Sequence, residues 1–113
     1  MADLNTDLTQ KKCRPCEGSV PPLNEAQAAK YLKGLEGWGL EKGELVRTFT
    51  FKNYYETVSF VNAAAWIAHR EDHHPEMEFG YKKCKIRYFT HSIKGLSEND
   101  FICAAKINRL LTP

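Results

Sequence analysis

Long apolar runs are missing from this 113-residue chain: the longest, Ala63 to Ala68, has six residues. A membrane-spanning helix needs about 20, so none is expected. Excess charge is missing too, at a formal +2, and Lys and Arg are spread along the chain rather than clustered. That distribution makes no electrostatic case for nucleic acid or an anionic membrane surface. Residues 1–12 are polar and end in Lys11-Lys12 with no apolar stretch behind them. No secretory signal is visible, and a soluble cytoplasmic protein is expected. With 42% hydrophobic and 27% charged residues, the composition fits one globular domain with a modest core.

Cysteine is also sparse, four in all, which is no disulfide framework in a chain with this much core. Cys84 alternates with Ile86 and Tyr88, and Cys103 lies in a C-terminal helical pattern. Both read as reduced core thiols. Only Cys13-Arg14-Pro15-Cys16 has the spacing of a metal or redox pair. It supplies half of a four-ligand zinc site, with no second CxxC to complete it. A redox CxxC would open a helix, whereas residues 17–22 are loop material. A solvent-exposed pair without essential chemistry is the expectation.

Residues 1–22 read as a flexible N-terminal arm carrying this CxxC, and residues 23–113 as the folded domain. Asn24 with Gln27 forms a capping-box signature ahead of Ala28, Tyr31, Leu32 and Leu35 at helical spacing. Two strands follow, Trp38 to Glu41 and Leu45 to Phe51, joined by the turn Glu41-Lys42-Gly43-Glu44. Leu45, Arg47, Phe49 and Phe51 alternate with Val46, Thr48 and Thr50, so one face suits cover by helices. Asn53 with Glu56 opens a long second helix whose expected core face is Tyr54, Val58, Val61, Ala65 and Ala68. Met77, Phe79 and Tyr81 alternate as a third strand, and Cys84, Ile86, Tyr88 and Thr90 as a fourth. Ser97 with Asp100 caps a last helix with Phe101, Ala104, Ala105, Asn108 and Leu111 on one side. The expected fold is α+β, a single domain of order αββαββα, with a four-stranded antiparallel sheet covered on one face by helices.

What the chain does concentrate is histidine. All four, His69, His73, His74 and His91, fall within residues 69–91. Imidazole gives or takes a proton near neutral pH. His69 and His73, four apart, would share a helix face. Pro75 disfavours the α conformation at His74, so the helix is expected to end close to His73, with the His74 ring turned away. His91 follows the fourth strand. If that strand passes the exit of the helix, three imidazoles converge from two elements, the arrangement of an acid–base site. The same residues leave a metal reading open, with His69 and His73 as a two-ligand unit and His91 as a third. Arg70 would place a fixed positive charge beside such a cation. His69 by itself reads equally well as an ordinary helix residue.

Several stretches together resemble the pterin-4a-carbinolamine dehydratase family. These are Asp72-His73-His74-Pro75-Glu76, then Tyr81, then Cys84-x-Ile86-x-Tyr88-x-Thr90-His91, and Gly95-Leu96-Ser97-x-x-Asp100. Gly37-Trp38 and the element order agree, and the resemblance spans residues 23–111. It implies dehydration of 4a-hydroxytetrahydrobiopterin to the quinonoid dihydropterin without metal or organic cofactor, in the recycling of a pterin used by aromatic amino acid hydroxylases. It also implies that His73, His74 and His91 are the acid–base residues. Asp72, Phe89, Thr90, Ser92 and Trp38 match positions at the pterin pocket, and Asp100 matches a nearby carboxylate. Trp38 taken alone reads as a core residue. Many relatives carry glutamate where this chain has His69, a supporting position whose charge would alter the pH optimum.

The family typically forms dimers or tetramers, so a homo-oligomer is expected. Its animal members also serve as dimerisation partners of a transcription factor. Three function classes therefore stand side by side: a cofactor-free dehydratase, a non-catalytic pterin- or protein-binding module, and a metal-dependent hydrolase. A molybdopterin-related pterin is an alternative substrate.

Overall fold

Asn24 and Asn53 open two helices with the same device. Asn24 Oδ1 accepts from the Gln27 N–H at 2.8 Å while Gln27 Oε1 accepts from the Asn24 N–H at 2.9 Å, and Asn53 Oδ1 accepts from the Glu56 N–H at 2.9 Å. Each bond satisfies donors that a helix start leaves orphaned. In the computed structural model, which describes residues 8–15 and 20–111, the elements are α1 (Glu25–Lys33), β1 (Gly39–Glu41), β2 (Glu44–Thr50), α2 (Tyr54–Glu71), β3 (Glu76–Phe79), β4 (Lys83–Tyr88) and α3 (Glu98–Arg109). A 3₁₀ turn, His91–Ile93, links β4 to α3. The four strands form one antiparallel sheet in the order β1-β2-β4-β3. The α+β fold and the αββαββα order are as expected from the sequence.

Pairing places Leu45 opposite Tyr88, Arg47 opposite Ile86 and Phe49 opposite Cys84, with Met77 and Phe79 opposite Ile86 and Cys84 from the other side. Side chains opposite one another share a sheet face, and this face is the core. The reverse face carries charge, with Arg87 Nη1 to Glu78 Oε1 at 2.6 Å and Lys85 Nζ to Glu41 Oε1 at 3.1 Å. Lys42 (φ 52°) and Gly43 (φ 79°) both sit in the left-handed region, the two-residue turn that matches strand twist.

The helix α2 is rotated by about one position from its expected orientation. Its buried residues are Thr57, Phe60, Ala64 and Glu71, whereas Tyr54 and Ala65 are exposed. The reason is aromatic. Phe60 fits against Phe49 at 4.6 Å and Phe51 at 4.9 Å between ring centroids, and this cluster outweighs the smaller valines in setting the buried stripe. Tyr81 falls in the turn after β3 rather than in the strand, with its carbonyl accepting from Thr57 Oγ1 at 3.0 Å. Leu111 lies past the end of α3 and is exposed, while Phe101, Ala104 and Ala105 are buried as expected.

The described part of the N-terminal arm is packed rather than loose. Leu8 is fully buried in the core cluster. Lys11 Nζ binds Glu98 Oε2 at 2.8 Å, the Cys13 N–H donates to Glu71 Oε1 at 2.8 Å, and the Arg14 N–H donates to Asn99 Oδ1 at 3.0 Å. These contacts carry residues 8–15 across α3 and the end of α2. Cys84 and Cys103 are buried thiols, as their patterns suggested; burial pushes Cys84 up to about 11. Cys16 lies outside the described residues.

Candidate active site

The helix α2 ends at Glu71, two residues short of His73. Asp72 takes the left-handed conformation (φ 51°, ψ 44°), its N–H reaching Ala68 and His69 carbonyls while the His73 N–H reaches Ala68 at 3.1 Å. This closes the helix and throws His73 inward. The His73 ring lies 5.7 Å from the Tyr88 ring at an interplanar angle of 9°, stacked on the last residue of β4. Its Nε2 is 2.7 Å from Asp100 Oδ1.

Asp100 is the organising carboxylate. It is wholly buried, and its second oxygen accepts from Thr90 Oγ1 at 2.8 Å and from the Ser97 N–H at 2.9 Å. One residue thus holds the start of α3, the residue before the 3₁₀ turn and the His73 ring. A carboxylate can only accept. The proton on a neutral His73 therefore sits on Nε2, leaving Nδ1 as the ring's lone pair, a tautomer set by the group the other nitrogen bonds.

Two of the clefts at this end of the sheet are lined by His73, His74 and His91. The larger, about 360 Å³, is lined by Asp72, His73, Thr90 and Ser92 together with Lys12 to Pro15, Arg70, Glu71 and Asn99. The smaller, about 30 Å³, is lined by His74, His91 and Phe89 with Glu44, Glu76 and Arg87. Consecutive residues are thereby divided: His73 and Thr90 face one cleft, His74 and His91 the other. The three imidazoles expected to converge are brought to the same end of the sheet but not into one cleft. Pro75 disfavours the α conformation at His74, and the His73 and His74 side chains part to different clefts. His91 occupies the 3₁₀ turn rather than the strand end, packed edge-on to Phe89 at 5.2 Å.

Two expected site residues stand elsewhere. Trp38 is in the core, donating Nε1–H to Asn108 Oδ1 at 2.8 Å and packing edge-on to Phe49 and tilted against Tyr88, and it lines neither cleft. His69 is exposed on the last turn of α2, against Trp66 at 5.1 Å. Among the described residues no three His, Cys, Asp or Glu side chains gather as metal donors.

Several contributors were not legible in the sequence as site residues. The arm supplies Lys12, Cys13, Arg14 and Pro15 to the wall of the larger cleft. Glu71 anchors that wall. Burial pushes its carboxyl up, but the Cys13 N–H and the Lys106 ammonium, at 2.8 Å each, outweigh this and hold it below the ordinary range. Tyr88, readable only as a core residue, is the platform beneath His73.

The structure is a small α+β domain in which an Asp-held histidine faces a ligand-sized cleft. Comparison with known proteins places it more narrowly. A family model described as pterin 4 alpha carbinolamine dehydratase matches residues 21–110. A protein of Nitrosomonas europaea, whose own designation as a pterin-4-alpha-carbinolamine dehydratase is provisional, is 62% identical over 105 residues, covering 92% of this chain and 93% of that one. A crystal structure from Brucella melitensis, described as a transcriptional coactivator/pterin dehydratase, is 32% identical with a TM-score of 0.76, over 79% of this chain and 97% of that one. A pterin dehydratase-like RuBisCO assembly factor of the alpha-carboxysome shares the fold, at 22% identity and a TM-score of 0.56, over 66% of this chain and 87% of that one. The chain belongs to the pterin-4a-carbinolamine dehydratase family.

Proposed function

We propose that this protein catalyses loss of water from a 4a-hydroxytetrahydropterin, giving the quinonoid dihydropterin, with histidines moving both protons. The observation that carries the reading is the Asp100–His73 pair facing a cleft of about 360 Å³, within the range of small-molecule sites. Dehydration breaks the C4a–O bond. One proton must reach the departing hydroxyl and one must leave a pterin ring nitrogen. His73 presents Nδ1 as the acceptor. His74 and His91, which line the smaller cleft, deliver the proton to the hydroxyl. Each transfer is worth roughly 10²–10⁴-fold. Asp72, Thr90 and Ser92 hold the ring, and Phe89 borders the hydroxyl side.

Recycling of the pterin for an aromatic amino acid hydroxylase in the cytoplasm, by a dimer or tetramer, completes the reading. The edge strand β3 and the exposed Tyr55 (79%) and Trp66 (60%) on α2 support self-association. Quinonoid dihydropterin formation, followed by absorbance from chemically generated 4a-hydroxytetrahydropterin, tests the reaction. The wild-type chain should accelerate it, and His73→Ala and His91→Ala should each lose at least about tenfold. Wild-type protein that binds pterin without accelerating the reaction would instead mark a binding module.

A further inference from the structure

Two cysteines separated by ninety residues meet beside the larger cleft. Cys13 Sγ lies 3.5 Å from Cys103 Sγ, and Cys103 Sγ is 3.9 Å from the His73 carbonyl. Cys13 is half-buried and lines the cleft, while Cys103 is fully buried in α3. The contact is held from both sides of Cys13, by its own N–H on Glu71 and by the Arg14 N–H on Asn99. The buried Tyr88 hydroxyl has no hydrogen-bond partner among the described residues, and the Cys103 thiol is the polar group beside it. Nothing in the dehydration uses either sulfur.

The geometry points to Cys13 and Cys103 as an oxidation site: a thiol pair that a small-molecule disulfide converts into a covalent clamp between residues 8–15 and α3. The fold already supplies the proximity that makes closure effectively unimolecular. Bonding needs the sulfurs to approach from 3.5 Å to about 2.0 Å, within reach of side-chain rotation and a small shift of the arm. Cys13 is the sulfur an incoming reagent meets. As the thiolate, it attacks one sulfur of the reagent and expels one thiolate, leaving a mixed disulfide. Cys103 Sγ, losing its proton, then attacks Cys13 Sγ and expels the second thiolate. The two cysteines give up two electrons and two protons, and the reagent leaves as two thiols. The Cys103 hydrogen bond, burial and the Glu71 carboxylate all hold the Cys13 thiol well above its ordinary value, so the reaction quickens toward alkaline pH.

This site is independent of the pterin reading and separable from it. The test uses the full chain, oxidised glutathione as the reagent, and non-reducing tryptic peptide mapping. Because Pro15 follows Arg14, Cys13 and Cys16 stay together in peptide 13–30, while Cys103 is in peptide 95–106. A Cys16→Ser variant therefore makes the linkage unambiguous. The two peptides should be joined in both wild type and Cys16→Ser, and separate in Cys13→Ser and Cys103→Ser. The oxidised chain should melt on the order of 10 °C higher, since the bond closes a long loop of the unfolded chain. Separate peptides in a folded Cys16→Ser chain would overturn the proposal. So would a wild-type product in which only a bond within peptide 13–30 forms.

Discussion

Replacing Asp100 with Asn separates two roles that one buried carboxylate performs. Oδ2 accepts from both Thr90 Oγ1 (2.8 Å) and the Ser97 N–H (2.9 Å), whereas Oδ1 meets, among the described residues, only His73 Nε2 (2.7 Å). In Asp100→Asn the amide oxygen must remain where two donors point. The amide nitrogen is then forced toward His73, where its N–H can bond Nε2 only if that nitrogen is bare. The ring switches to the Nδ1–H tautomer, and the Nδ1 lone pair is lost. The start of α3 keeps its Ser97 bond, so stability should fall by only about 1 kcal/mol, or less than roughly 10 °C in Tm. Dehydratase kcat/KM should fall on the order of 10²–10⁴-fold. Asp100→Ala orphans the Ser97 N–H and the His73 ring donor, leaves Thr90 Oγ1 only the Ser97 hydroxyl at 2.8 Å, and should cost about 3–5 kcal/mol as well as activity. Long-range ¹H–¹⁵N spectra of the His73 ring report the tautomer, and thermal melts report the fold. Wild-type kcat/KM in an Asp100→Asn chain shown to carry Nδ1–H would refute the argument, as would an Asp100→Asn chain as unstable as Asp100→Ala.

Three further outcomes follow from the geometry. Phe60→Ala, which empties a site between Phe49 and Phe51, should cost about 3–5 kcal/mol in denaturant unfolding. Ala65→Ser on the exposed face should stay within about 0.5 kcal/mol; the reverse ranking would contradict the orientation of α2. Glu71 and Glu98 are both held below the ordinary carboxylate range, burial being outweighed by Cys13 and Lys106 at the first and by Lys11 and Tyr31 at the second. A depressed folded value means the stabilisation is complete above the unfolded pKa of about 4.3 and is lost as pH falls through the folded value. Tm should therefore drop on acidification below about pH 4.3, and Glu71→Gln should flatten that limb; an unchanged acid limb in Glu71→Gln would exclude this anchor. His74→Ala and His91→Ala, at exposed positions, should leave Tm within a few degrees of wild type while lowering dehydratase activity. Melting losses that track the activity losses would assign them a structural role.

Much of the architecture was legible because local and periodic signals agreed. Asn24-Gln27, Asn53-Glu56 and Ser97-Asp100 mark three helix starts, and alternation from Leu45 and from Cys84 marks the two central strands. The failures have physical causes. The buried face of α2 depends on which partner its side chains find, and Phe60 meets Phe49 and Phe51 through contacts made only on folding. The arm looked loose because polar composition cannot show that Leu8 enters the core or that Cys13 lands on Cys103. The site was half legible. His73, His74 and His91 stand out together in the sequence and Asp100 enters through the resemblance, but the division between two clefts follows from the left-handed cap at Asp72 and the step into Pro75. Trp38 shows the limit of carrying a role across a resemblance: its indole is bonded to Asn108 in the core.

The measurement closest to the central claim is stopped-flow decay of 4a-hydroxytetrahydropterin, with chelator-treated wild type beside a His73→Ala/His74→Ala control. Accelerated decay that survives chelation and vanishes in the folded double variant is the predicted result. Decay no faster than buffer with the wild-type chain, or acceleration retained by the double variant, would contradict it.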